Sequence, residues 1–113
     1  MTTLISRDEL RSAIDRRSVT VVDALPESYY SQRHLPGALN LVEDDVVARA
    51  ASLLPDVDAT IVTYCSNAAC PNSQCVANRL TRLGYTDVRK YRDGIEDWVA
   101  AGLPVESGVP AAR

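Results

Sequence analysis

The sequence predicts an α/β domain with a mostly parallel central sheet and helices on both faces. Three observations carry that expectation. β-Branched apolar runs alternate with segments of helical periodicity, the pattern of a parallel sheet joined by helical crossovers. The chain is 113 residues long, enough for one domain with a single core. Its composition, 46% apolar and 24% charged, is that of an ordinary globular protein.

The elements follow in order. Ser6 with Glu9 three residues on forms a capping-box signal, and Leu10, Ala13 and Ile14 continue at helical spacing, so 7–16 is expected as a helix. "VTVVDA" (19–24) is expected as a buried strand ending near Asp23. Pro26 opens a helical turn across "ESYYS", and "HLPGALN" (34–40) turns at Pro36-Gly37 before a brief extended piece. Over 43–54, Val46, Val47, Ala50, Leu53 and Leu54 make an apolar stripe on a helix that Pro55 stops.

"ATIVTYC" (59–65) is the next strand and delivers Cys65 to its end. Pro71 disfavours helix at Cys70, and Asn72 or Ser73 is expected to cap a helix that turns Val76, Leu80 and Leu83 inward and ends near Gly84. "DVRKY" (87–91) is a third strand, and 94–102 a last helix with Trp98 buried. Residues 107–113 read as a disordered tail after a domain spanning 4–106.

Charge and hydropathy narrow the function. The net charge is −3 and the basic residues are dispersed, which gives nucleic-acid binding no support. No apolar run has the length of a membrane span. The first residues lack a signal-peptide core, so a cytoplasmic location is expected. In a reducing compartment, three cysteines favour reactive or metal-binding thiols over a disulfide framework.

Cys65, Cys70 and Cys75 all fall within "TYCSNAACPNSQCVANRL". Structural zinc needs four ligands, and this chain has one histidine, His34, to add to three unevenly suited cysteines, so no metal is expected. A strand, a loop and a helix N-terminus together make an anion-binding arrangement, and a thiolate held there has a lowered pKa. Ser66, Asn67, Ala68 and Ala69 are small or polar, and 65–75 holds no charged side chain. An anion would therefore rest on backbone N–H groups and on Ser66, Asn67, Asn72 and Ser73. Cys65 is the expected nucleophile, and Cys75 is expected to pack against the core from its helix.

These residues carry a resemblance. "VVDA", "HLPGALN", Cys65 after "TIVTY", and "LGYTDVRKYRDGIEDWVAAGLPV", in that order, resemble the single-domain rhodaneses, a family of sulfurtransferases, over residues 4–106. The resemblance implies a rhodanese-like fold. It also implies that Cys65 takes sulfane sulfur from a donor such as thiosulfate, becomes a persulfide, and passes the outer sulfur to a thiophilic acceptor. The partners implied are a small sulfur-containing anion or a protein thiol or persulfide, with no cofactor. The amides of the loop Ser66, Asn67, Ala68, Ala69, Cys70, Pro71, Asn72 and Ser73 inherit the cradle.

The sequence also departs from that family. Its loop is longer than the common six-residue form, as in the phosphatase and arsenate-reductase relatives. Yet those enzymes need a Cys, five intervening residues and then an Arg, whose bidentate guanidinium matches phosphate; after Cys65 that position is Pro71. Leu25 and Tyr29 stand where the family often has an Arg and a Glu. Cys70 inside the loop is a candidate resolving thiol for Cys65. A thiol redox protein using Cys65–Cys70 and a non-catalytic rhodanese-like binding module are the alternatives to a sulfurtransferase. His34 and Asp23 are expected to be structural, and Arg33 to be a solvated surface charge.

Overall fold

The computed structural model of the protein describes residues 2–108; of the expected tail, residues 109–113 lie outside the described residues. Five strands, β1 (Thr3–Leu4), β2 (Thr20–Asp23), β3 (Leu39–Asn40), β4 (Thr60–Tyr64) and β5 (Asp87–Tyr91), form one sheet in the order β1-β5-β4-β2-β3. Every neighbouring pair runs parallel. Five α-helices connect them: α1 (Arg7–Asp15), α2 (Glu27–Tyr30), α3 (Val46–Leu53), α4 (Asn72–Arg82) and α5 (Gly94–Ala100). A 3-10 turn, Glu43–Asp45, leads into α3.

Successive strand residues point to opposite faces, so each apolar strand feeds two cores. Val21 and Val62 join Leu10, Tyr30, Tyr91, Ile95 and Trp98 on one face. Val22 and Ile61 join Val46, Ala50, Val76, Leu80 and Val88 on the other. Helices on both faces are therefore present as expected. None of the helices among the described residues is long and apolar enough to cross a membrane.

Several local expectations hold. The α1 capping box forms, with Ser6 Oγ accepting from the Glu9 N–H and Glu9 accepting from the Ser6 N–H. Gly84, at φ +102°, follows α4, where the left-handed backbone suits glycine.

Others need correction. Strand β1 was not anticipated, because two exposed residues carry no periodicity. Pro71, not Asn72 or Ser73, occupies the N-cap of α4, and no side chain caps that helix. Those two side chains are used elsewhere, as described below. Val47 and Leu83 belong to the predicted apolar stripes but are exposed, Val47 at 67%. Each helix buries a face narrower than its run of apolar residues.

The candidate active-site loop

Tyr64 ends β4 in the middle of the sheet, so Cys65 emerges where the strands point their carboxyl ends, the usual ligand-binding edge of such sheets. Two buried contacts fix this exit. The Tyr64 hydroxyl donates to Asp23 Oδ2 at 2.6 Å and accepts from the Leu35 N–H at 3.0 Å. Asp23 also accepts from the Leu25 N–H at 2.8 Å. Burial dominates this carboxyl and pushes its pKa up to about 6 despite those bonds. Asn40 Nδ2 donates to the carbonyls of Asp23 and Leu25, closing the neighbouring corner.

Helix α5 supports the loop from the other side. The Ile95 and Glu96 N–H groups donate to the carbonyls of Cys65 and Ser66 at 2.9 and 3.0 Å. Such an approach requires glycine at Gly94, which has φ +72°. A Cβ there would lie 2.5 Å from the Cys65 carbonyl oxygen and 2.6 Å from the Ser66 carbonyl. Within the loop, Asn67 makes an Asx turn. Its Oδ1 accepts from the Ala69 N–H, its carbonyl accepts from the Cys70 N–H, and its Nδ2 donates to Glu96. Asn72 Nδ2 donates to the Ala24 carbonyl, tying the start of α4 to the end of β2.

Cys65 is 1% exposed. Its Sγ lies 3.3 Å from the Cys70 carbonyl oxygen and 3.3 Å from Ser73 Oγ. Ser73 is itself buried, at the first turn of α4, and its carbonyl accepts from the Thr63 hydroxyl. Burial pushes the Cys65 thiol up, and its hydrogen bond to the Cys70 sulfur pushes it further. The Ser73 hydroxyl and N–H act the other way by favouring the thiolate.

Cys70 behaves in the opposite sense. Its half-buried position pushes its thiol up, but the hydrogen bonds it receives outweigh burial and bring it below the ordinary value. Those bonds come from the Cys65 thiol, the Asn72 and Ser66 N–H groups, and the Ser66 hydroxyl. The Cys65 thiol itself donates to the Cys70 carbonyl and to Ser73 Oγ.

The directions are the reverse of the expected lowered Cys65 thiol: burial raises Cys65, and hydrogen-bonding neighbours lower Cys70.

The remaining predicted residues take these places. Ala68 and Ala69 are exposed on the loop, and Pro71 ends it. Cys75 lies on α4 but is half-buried; Ser73, Val76, Ala77 and Leu80 fill the buried face instead. Leu25 packs in the same apolar cluster as Cys65 and Cys70, while Tyr29 is 58% exposed, so the wall beside the loop is apolar. His34 is buried, stacked on Tyr30 with ring centroids 4.0 Å apart, and its Nδ1 lies 2.8 Å from the Tyr30 carbonyl. Its backbone pairs with Glu106. This structural role agrees with the sequence reading. Arg33 is exposed. Among the described residues no group of three His, Cys, Asp or Glu side chains is placed to hold a metal ion.

Sequence reasoning missed Tyr64 and the contact between Gly94 and the Cys65 carbonyl. A tyrosine at the end of an apolar strand reads as core filling. Gly94 was visible only as part of the family's C-terminal stretch.

With this geometry in view, the comparisons with known proteins are consistent with one another. The HTH-type transcriptional regulator Rv0324 of Mycobacterium tuberculosis is 38% identical over 109 residues, covering 96% of this chain. The chain spans 47% of that regulator, about half its length. The thiosulfate sulfurtransferase PspE of Escherichia coli is 33% identical over 76 residues, covering 67% of this chain and 70% of that protein. The solution structure of the rhodanese-like domain of the Anabaena sp. Alr3790 protein superposes with a TM-score of 0.81 at 27% identity, covering 100% of this chain and 88% of that one. The rhodanese-like domain family matches residues 6–101, from the capping box of α1 to the end of α5. Overall fold and sequence thus agree, and the chain belongs to the rhodanese-like family.

Proposed function

We propose that this domain is a sulfurtransferase that moves sulfane sulfur from a thiosulfate-class donor to a thiophilic acceptor through a persulfide on Cys65. The observation that carries this reading is the position of the Cys65 sulfur. It lies at the end of the central strand, at the base of α4, with Ser73 Oγ 3.3 Å away and the Ser73 N–H directed at it. Likeness to the thiosulfate sulfurtransferase PspE supports the same chemistry.

In the first step the Cys65 thiolate attacks the outer sulfur of thiosulfate. The sulfur–sulfur bond of the donor breaks and sulfite leaves with the electron pair. Burial opposes ionisation of Cys65, and the two Ser73 donors offset part of that cost. The thiol donates to the Cys70 carbonyl and the Ser73 hydroxyl oxygen, and its proton passes to water as the thiolate forms. In the second step a protein thiol, or cyanide, attacks the outer persulfide sulfur and restores the Cys65 thiolate. Both steps are displacements at sulfur that call for no cofactor. We assign the domain to a reducing compartment, the cytoplasm, where such thiols persist.

The test is formation of thiocyanate from thiosulfate and cyanide. Wild type should turn over, and Cys65→Ser should not; equal rates in both would remove Cys65 from the mechanism.

A further inference from the structure

The Cys65 Sγ lies 3.3 Å from the Cys70 carbonyl oxygen, so the two cysteines meet across the loop. Cys70 is half-buried and packs against the apolar cluster that holds Cys65. A persulfide formed on Cys65 would therefore place its new sulfur–sulfur bond beside the residue that carries a second thiol. Nothing basic stands in 65–75 to hold an outer sulfur away from Cys70. Leu25 closes the apolar side of the cluster in which both cysteines pack.

We propose that Cys70 is a resolving thiol that ends the life of the Cys65 persulfide, so that sulfane sulfur leaves this loop as sulfide and a Cys65–Cys70 disulfide remains. The inference rests on the persulfide reading above. In the resolving step the Cys70 sulfur attacks the inner sulfur of the persulfide, Cys65 Sγ. The bond between Cys65 Sγ and the outer sulfur breaks, and the outer sulfur leaves as hydrosulfide, taking the electron pair and the Cys70 proton. Over both steps two thiols lose two electrons and two protons, and the sulfane sulfur of thiosulfate gains the two electrons. The products are one disulfide, one sulfite and one sulfide. A dithiol reductant returns the pair to its starting state. An external acceptor must compete with Cys70 for the persulfide. The loop thus reports the arrival of sulfane sulfur as a change in its own covalent state.

The experiment uses the reduced chain under nitrogen with no added thiol. Thiosulfate is the donor in one arm and inorganic polysulfide in the other. Released sulfide and intact mass are measured. Wild type is expected to release one sulfide per chain and to lose two hydrogens, and Cys70→Ser to gain one sulfur atom and release no sulfide. Cys65→Ser is expected to release no sulfide. Wild type that keeps an added sulfur as stably as Cys70→Ser overturns the resolving role while leaving the sulfurtransferase reading intact. Sulfide release by Cys65→Ser equal to wild type overturns it as well. If thiosulfate loads nothing, even in Cys70→Ser, the thiosulfate-donor reading fails. The polysulfide arm then still decides, because disulfide and sulfide together support the resolving role and their absence there overturns it.

Discussion

The Tyr64 hydroxyl donates to the buried Asp23 carboxylate over 2.6 Å, one residue before the candidate nucleophile. The pair ties the end of β4 to the end of β2, and through the Leu35 N–H to the turn that follows α2. Replacing Tyr64 by Phe removes a partner from both a buried carboxyl and a buried N–H. The expected loss of stability is about 1–3 kcal/mol, read from urea unfolding.

The same carboxyl predicts a pH dependence. Burial raises Asp23 from the ordinary 3.8 to about 6, so the folded state holds its proton more tightly than the unfolded chain does. The stability from that proton is fully present below the ordinary value and is lost as pH rises through it towards about 6. An Asn mimics the protonated form and does not titrate. Between those two pH values the stability of Asp23→Asn relative to wild type should therefore rise, by up to about 3 kcal/mol. Paired urea titrations at several pH values measure the difference, and a difference independent of pH would contradict the assignment.

Gly94 should not tolerate a side chain. In Gly94→Ala the added Cβ meets the carbonyls of Cys65 and Ser66 in a left-handed backbone. The backbone alone costs roughly 1–3 kcal/mol, and relief of the contact displaces the loop. Lower unfolding free energy together with slower sulfur loading of Cys65 is the expected result.

Ser73 sets the reactivity of Cys65. In a background with Cys70→Ser and Cys75→Ser, Cys65 is the remaining thiol, and Ser73→Ala removes a donor to its thiolate. The Cys65 pKa should rise and alkylation by iodoacetamide near neutral pH should slow by about tenfold, the effect of one charge-assisted hydrogen bond. The pH profile of the alkylation rate separates this from a change in access.

Much of this was legible in the sequence. The strands β2, β4 and β5 carry β-branched runs that have few other uses, and Pro71 and Gly84 bracket α4. That Cys65 leaves the carboxyl end of β4 follows from the strand pattern. What the sequence could not carry is the loop's internal arrangement. How Cys65 and Cys70 sit relative to each other depends on how Asn67 turns the backbone and on how closely α5 approaches, and that approach depends on Gly94. Tyr64 was invisible for a related reason. Its hydroxyl acquires a role only because β2 lies beside β4 and brings Asp23 within reach.

The most direct measurement of the central claim is location of the transferred sulfur. Reduced Cys70→Ser protein is loaded with thiosulfate labelled at its outer sulfur, alkylated and digested, and the labelled peptide is identified. The account predicts the label as a persulfide on Cys65, with Cys75 free of it. Label on Cys75 alone, or an unlabelled Cys65 in a protein that still forms thiocyanate from thiosulfate and cyanide, would contradict it.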